Sequence, residues 1–218
     1  MLPIRDLNPH RSFPIVNVVI ILLSSLVWLY EVSLSEEELY LFIHSYGLLP
    51  YHILERPLSL ITHMFLHGSW LHIIGNMWFL WVFGDNVEDR LGKFKYLVFY
   101  LLCGLGAALI QSLVSFIFGG ANIPMVGASG AISGVLGAYL WMFPHARILA
   151  LVPVFFFLTF MELPALFFIG MWILIQAING LITLPLMGIG GIAWFAHIGG
   201  FAVGYYLAKV FYPRRFSW

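Results

Sequence analysis

The chain has 218 residues, 61% of them hydrophobic and 9% charged, with a mean hydropathy of +0.95 and a formal net charge of zero. Soluble domains carry about 25% charged residues, so this composition excludes a fully solvated surface and points to an integral membrane protein. No basic or acidic block offers a nucleic-acid surface, and the one cysteine, Cys103, excludes an internal disulfide framework.

A membrane-crossing helix needs about 20 mostly apolar residues. The first such run covers about 13–32 and has no small-residue cleavage site after it, so it reads as a retained span. Arg5 and Arg11 precede it and place the N-terminus in the cytoplasm. The acidic stretch Ser35-Glu36-Glu37-Glu38 follows, then a long mixed loop, 39–69, expected to lie partly in the outer interface. The second span covers about 70–87, and the turn after it, 85–95, holds Arg90, Lys93 and Lys95 on the inner side. The third span covers about 96–118 and the fourth about 127–142, joined by a short uncharged outer loop. The region 148–183 is apolar but interrupted by Pro153, Glu162 and Pro164. It reads as an inner-side connection, 148–163, followed by a fifth span, 164–183. A Gly/Pro loop, 184–191, leads to the last span, 192–211, and then to Arg214 and Arg215.

Charge decides the count. With six spans, nine of the ten Lys/Arg are cytoplasmic and only Arg56 is outside. A seventh span would carry Lys209, Arg214 and Arg215 outward, against the positive-inside bias. The expected fold is therefore an all-α polytopic membrane protein, a single domain over 1–218 with six spans and both termini cytoplasmic.

The second, fourth and sixth spans then run in the same direction, each with polar residues near its outer start: His72 and Asn76, Ser129, and His197. At 1.5 Å rise per residue the four lie within about 10 Å of depth of one another. Polar groups in lipid are costly and mark a cavity or a partner. Gly130, Gly134 and Gly137 leave one flank of the fourth span bare, and Gly200 and Gly204 do the same for the sixth. Small residues at this spacing let backbones approach closely. Ser129 needs a base to act as a nucleophile, and His197 is the histidine that this approach would deliver. No Asp or Glu falls at matching depth, so the expectation is a Ser-His dyad. His72 and Asn76, one turn apart on one face, could donate to an oxyanion together with the backbone N–H of Ser129.

Taken singly, each residue has a plainer reading: Ser129 and Asn76 as contacts between helices, His197 as a buried histidine bonded to a carbonyl. His63, His67 and His72 are separated by Gly68-Ser69 and joined by no carboxylate, so no metal site is expected, and no cofactor. There is no His-Glu-x-x-His, and Gly127-Ala128-Ser129-Gly130-Ala131 is not a Gly-x-Ser-x-Gly elbow.

Three motifs, Gly127-Ala128-Ser129-Gly130, Ala196-His197-x-x-Gly200-x-x-x-Gly204 and His67-x-x-x-x-His72-x-x-x-Asn76, resemble those of the rhomboid intramembrane serine proteases. The resemblance covers nearly the whole chain. It implies Ser129 as nucleophile, His197 as general base, and His72 and Asn76 at the oxyanion positions. It implies transmembrane protein substrates cut near the outer membrane face, a loop over 184–191 with Met187 acting as a cap, and entry beside the fifth span with Trp172 at the gate. Gly84-x-x-x-Glu88-Asp89-Arg90-Leu91-Gly92 matches the family's turn after the second span, with Glu88 as a structural tie. Two departures stand out. Ser133 occupies the place, one turn after the nucleophile, where some members stack a tyrosine on the histidine. Arg56-Pro57-Leu58-Ser59 stands where many members carry a Trp-Arg pair. The alternatives are a catalytically silent relative that binds membrane helices, which should lack the serine or the histidine, and a small transporter, for which no internal repeat is evident. The short tails favour a bacterial inner membrane; the natural substrate and the oligomeric state are not legible.

Overall fold

The computed structural model describes residues 1–9 and 11–213, so Arg214 and Arg215, expected at the inner end, lie outside the described residues. Six long helices fall where the six spans were expected. They are α1 (Ile15–Glu31), α4 (Trp70–Leu91), α5 (Lys93–Phe118), α6 (Ser129–Met142), α7 (Ala165–Thr183) and α8 (Trp194–Phe211). By length and composition alone two segments, Lys93–Phe118 and Ala165–Ile189, are long and apolar enough to cross a membrane, while Ile15–Glu31 and Ser129–Met142 are shorter apolar helices.

Two short helices, α2 (Glu36–Tyr46) and α3 (Ser59–Thr62), occupy the region read as an irregular outer loop. α2 has a local cause. Ser35 Oγ accepts from the Glu38 amide at 3.4 Å and Glu38 Oε2 accepts from the Ser35 amide at 2.9 Å, a reciprocal cap. Arg56 Nη1 donates to the last-turn carbonyl of His44 at 2.7 Å, so this arginine closes α2 where a Trp-Arg pair is missing. The loop then docks on the segment before α6: Leu48 and Met125 exchange both backbone bonds, and the Gly127 amide donates to the His63 carbonyl at 2.8 Å.

The all-α expectation needs correction. A three-stranded antiparallel sheet, in the order β1 (Leu2–Asp6), β2 (Arg147–Val154), β3 (Phe157–Pro164), builds the connection between α6 and α7 and takes in the N-terminal residues. Pro153 forbids a helix interior, and the β-branched and aromatic run around it suits strands. β1 is pinned to the bundle by Asp6 Oδ2, which accepts from Asn86 Nδ2 at 2.7 Å and Tyr139 Oη at 2.8 Å.

The turn expected over 85–95 contracts to one residue, Gly92, whose φ of +78° lets α4 end and α5 begin without a loop. Glu88 is a structural tie: its carboxylate accepts from the amides of Val16 at 3.1 Å and Asn17 at 2.8 Å, satisfying donors that the start of α1 leaves open. Asn17 in turn donates to Leu80 O and accepts from Tyr96 Oη, which locks α1, α4 and α5 together.

The closest packing is between α6 and α8. Gly200 lies against the Gly130 carbonyl and Gly204 against the Gly134 backbone, a constant offset that makes the two helices parallel. Gly137 continues the seam against the Phe201 carbonyl and the Tyr205 amide. A methyl group at Gly204 would overlap the Gly134 backbone, whereas one at Gly170 on α7 would meet nothing within 4 Å. Gly204→Ala should therefore cost about 1–3 kcal/mol and lower the thermal unfolding midpoint in detergent, while Gly170→Ala leaves it unchanged or raised.

Candidate active site

The α6–α8 seam ends at Ser129, the first residue of α6, and His197, one turn into α8. Ser129 Oγ lies 2.8 Å from His197 Nε2. On the other side of the ring, His197 Nδ1 lies 2.8 Å from Oε1 of Gln176, a buried residue of α7. An amide oxygen only accepts, so Nδ1 carries the proton, Nε2 is left as the acceptor, and the serine hydroxyl donates to it. The amide is oriented by its other end, since Gln176 Nε2 donates to the Trp172 carbonyl at 3.2 Å.

Two indoles flank the imidazole. The Trp172 ring lies 6.0 Å away and tilted by 34°, and Trp194 lies 6.0 Å away, edge to face. They hold the ring where an aromatic one turn after the serine is absent. Ser133 at that position turns back to donate to the Ser129 carbonyl at 2.6 Å. The start of α8 is fixed by Gln111 of α5, whose Oε1 accepts from the Ala196 amide at 3.0 Å.

His72 and Asn76 reach the same place from α4. Both line a cavity of about 790 Å³ that also holds Ser129, His197, Gln176 and Trp172. Asn76 is buried, and among the described residues its Nδ2 has no hydrogen-bond partner. Buried donors are nearly always paired, and of the six buried side-chain atoms without a partner among the described residues this is the one that lines the cavity. His72 Nδ1 accepts from the Gly68 amide at 3.4 Å, leaving Nε2 to carry the ring's proton. That edge faces Gly127: a Cβ there would stand 2.6 Å from His72 Nε2 and 3.7 Å from Asn76 Nδ2. His67, the first residue of the α4 motif, packs edge-on against His72 at 5.1 Å and supports it from behind. The loop over 184–191 forms a short 3-10 turn, Leu184–Ile189, and contributes Met187 to the cavity wall.

The structure thus brings together all four residues expected from the sequence, Ser129, His197, His72 and Asn76. It adds Gln176 and gives Trp172 an inward-facing place beside the histidine. Gln176 is not legible in the sequence, because the group expected beside a histidine base is a carboxylate and an amide on an apolar helix carries no such signal.

Comparison with known proteins follows the same line. Residues 55–214 match the model of the rhomboid domain. The chain belongs to the rhomboid family. This family is a polytopic helical membrane fold, so the rhomboid chain described here is an integral membrane protein. It is 32% identical over 167 residues to RHOMBOID-like protein 4 of Arabidopsis thaliana, covering 73% of this chain and 35% of that one. It is 33% identical over 112 residues to the mitochondrial Rhomboid protein 1 of Saccharomyces cerevisiae, covering 51% and 32%. It is 38% identical over 82 residues to the rhomboid protease GlpG of Yersinia pestis, covering 38% and 27%. The matched part is thus about a third of the length of these curated relatives. Their names include mitochondrial and bacterial proteins, so family membership selects a membrane without selecting the bacterial one.

Gly127 has φ +123° and its flank is filled by His72. Gly127→Ala should cost about 1–3 kcal/mol through backbone strain alone, read as a lower unfolding midpoint in detergent.

Proposed function

We propose that this rhomboid is an intramembrane serine endopeptidase that cuts transmembrane segments of other proteins near the outer face of the membrane. In this reading all six long helices cross the bilayer, both termini are cytoplasmic, and residues 1–218 form one domain. Pairing of β1 with β2 supports the single domain, because it ties the first residues to the connection before α7.

The observation that carries the reading is the 2.8 Å contact between Ser129 Oγ and the unprotonated Nε2 of a histidine held by a second bond. Ser129 Oγ attacks the scissile carbonyl carbon while its proton passes to His197 Nε2. The carbonyl oxygen becomes an oxyanion and meets donors already in place: Asn76 Nδ2–H, His72 Nε2–H and the Ser129 backbone N–H at the open start of α6. Collapse expels the amine, which takes the proton from His197, and leaves an ester on Ser129. Water entering the cavity repeats the sequence on that ester and frees the serine. No cofactor takes part. The loop over 184–191 caps the cavity, and the substrate segment enters beside α7 past Trp172.

The test is cleavage of a model transmembrane substrate by purified protein, with each variant checked for an unchanged unfolding midpoint. Ser129→Ala and His197→Ala should abolish turnover. Asn76→Ala should slow it by up to about 100- to 1000-fold, the worth of one oxyanion donor, and leave measurable activity. Cleavage that persists in Ser129→Ala would remove the serine from its role. A wild-type protein that binds the substrate helix without cutting it would favour the silent, helix-binding alternative.

A further inference from the structure

We propose that Gln176 is a positioning residue that sets the tautomer of His197, so that a neutral amide orients the serine–histidine dyad. The inference rests on the peptidase reading above. Gln176 and His197 are both buried and face each other at 2.8 Å across 21 residues of sequence and two different helices. Because Gln176 Oε1 only accepts, the proton on the imidazole is confined to Nδ1 and the lone pair on Nε2 faces Ser129 Oγ. The opposite tautomer would place a hydrogen on Nε2 against the serine and a bare nitrogen on Nδ1 against the amide oxygen. The flipped amide, which would spoil this arrangement, is opposed by the bond from Gln176 Nε2 to the Trp172 carbonyl.

A neutral acceptor suits this location. A carboxylate in the same place would have to be desolvated at a cost of several kcal/mol, and none of the residues around the cavity offers a cation to offset it. The amide orients the ring without carrying charge into the bundle. Asn at this position would fall a methylene short, and Leu would keep the volume but lose the acceptor.

Two variants separate the acceptor from the rest of the side chain. Gln176→Leu removes both bonds. Gln176→Glu keeps an acceptor facing His197 Nδ1 but removes the donor to Trp172. Steady-state cleavage of the model substrate should show kcat of Gln176→Leu reduced about tenfold or more, part of what a general base supplies, with KM changed by no more than about twofold. Gln176→Glu, whose carboxylate still accepts from His197 Nδ1, should keep more of the wild-type kcat than Gln176→Leu while lowering the unfolding midpoint, because its buried charge is uncompensated. In ¹⁵N-histidine spectra the His197 signals, assigned by their loss in His197→Ala, should show a protonated Nδ1 in the wild type and a tautomer mixture in Gln176→Leu. The spectra read the tautomer without turnover and are recorded below the unfolding midpoint of each variant, so that a tautomer mixture reports the lost acceptor and not unfolding. An unchanged kcat and spectrum in Gln176→Leu would overturn the proposal, as would equal impairment of the Leu and Glu variants. A wild-type protein without any cleavage would instead overturn the peptidase reading, whatever the spectra show.

Discussion

The contact on which the rest depends is backbone against backbone. Gly200 and Gly204 of α8 lie against the backbones of Gly130 and Gly134 of α6, and Gly137 lies against the backbone of Phe201 and Tyr205, while the bare flanks of Gly130 and Gly134 make room for Ala107 and Cys103 of α5. Ordinary residues would hold the two axes apart by the width of their side chains. The close approach instead leaves only the length of the two short side chains to be bridged between Ser129 and His197. The seam makes the offset between the helices constant, and it is this offset that sets Ser129 at the start of one opposite His197 at the start of the other.

Around the seam, several of the polar groups that a low-dielectric interior penalises are satisfied in pairs. Gln111 covers the amide of Ala196 just before the histidine, Gln176 covers the far side of its ring, and Glu88 covers the open amides of α1. Of the six buried side-chain atoms without a partner among the described residues, Asn76 Nδ2 is the one in the wall of the cavity that contains the serine. A bundle that only needed to fold would gain by replacing that donor with an apolar group. Its place beside the hydroxyl–imidazole contact supports the active-site reading over helix packing alone.

Much of this was legible in the sequence. Hydropathy placed the six long helices, and glycines four residues apart marked the seam that brings Ser129 and His197 together. Other parts were not. Gln176 sits on an apolar helix whose facing direction depends on tertiary packing, and an amide is not the residue type expected beside a histidine base. Trp172 looked like any bulky residue of such a helix, yet it turns inward beside the imidazole. The sheet was hidden for a different reason. The run 148–163 lacks a two-residue alternation, its Phe155-Phe156 turn contains no Asn-Gly signal although Phe155 takes φ +53°, and its partner β1 lies some 140 residues away in the chain. The helix α2 does carry a readable signal, the Ser35–Glu38 capping box, although the mixed composition of the segment around it reads as loop.

The most direct measurement is reaction of the purified protein in detergent with a fluorophosphonate, followed by mass spectrometry of the modified peptide. A hydroxyl activated by the neighbouring imidazole should carry a single adduct on Ser129, and replacement of His197 by alanine should remove it. An unmodified Ser129, or equal modification with and without His197, would contradict the account.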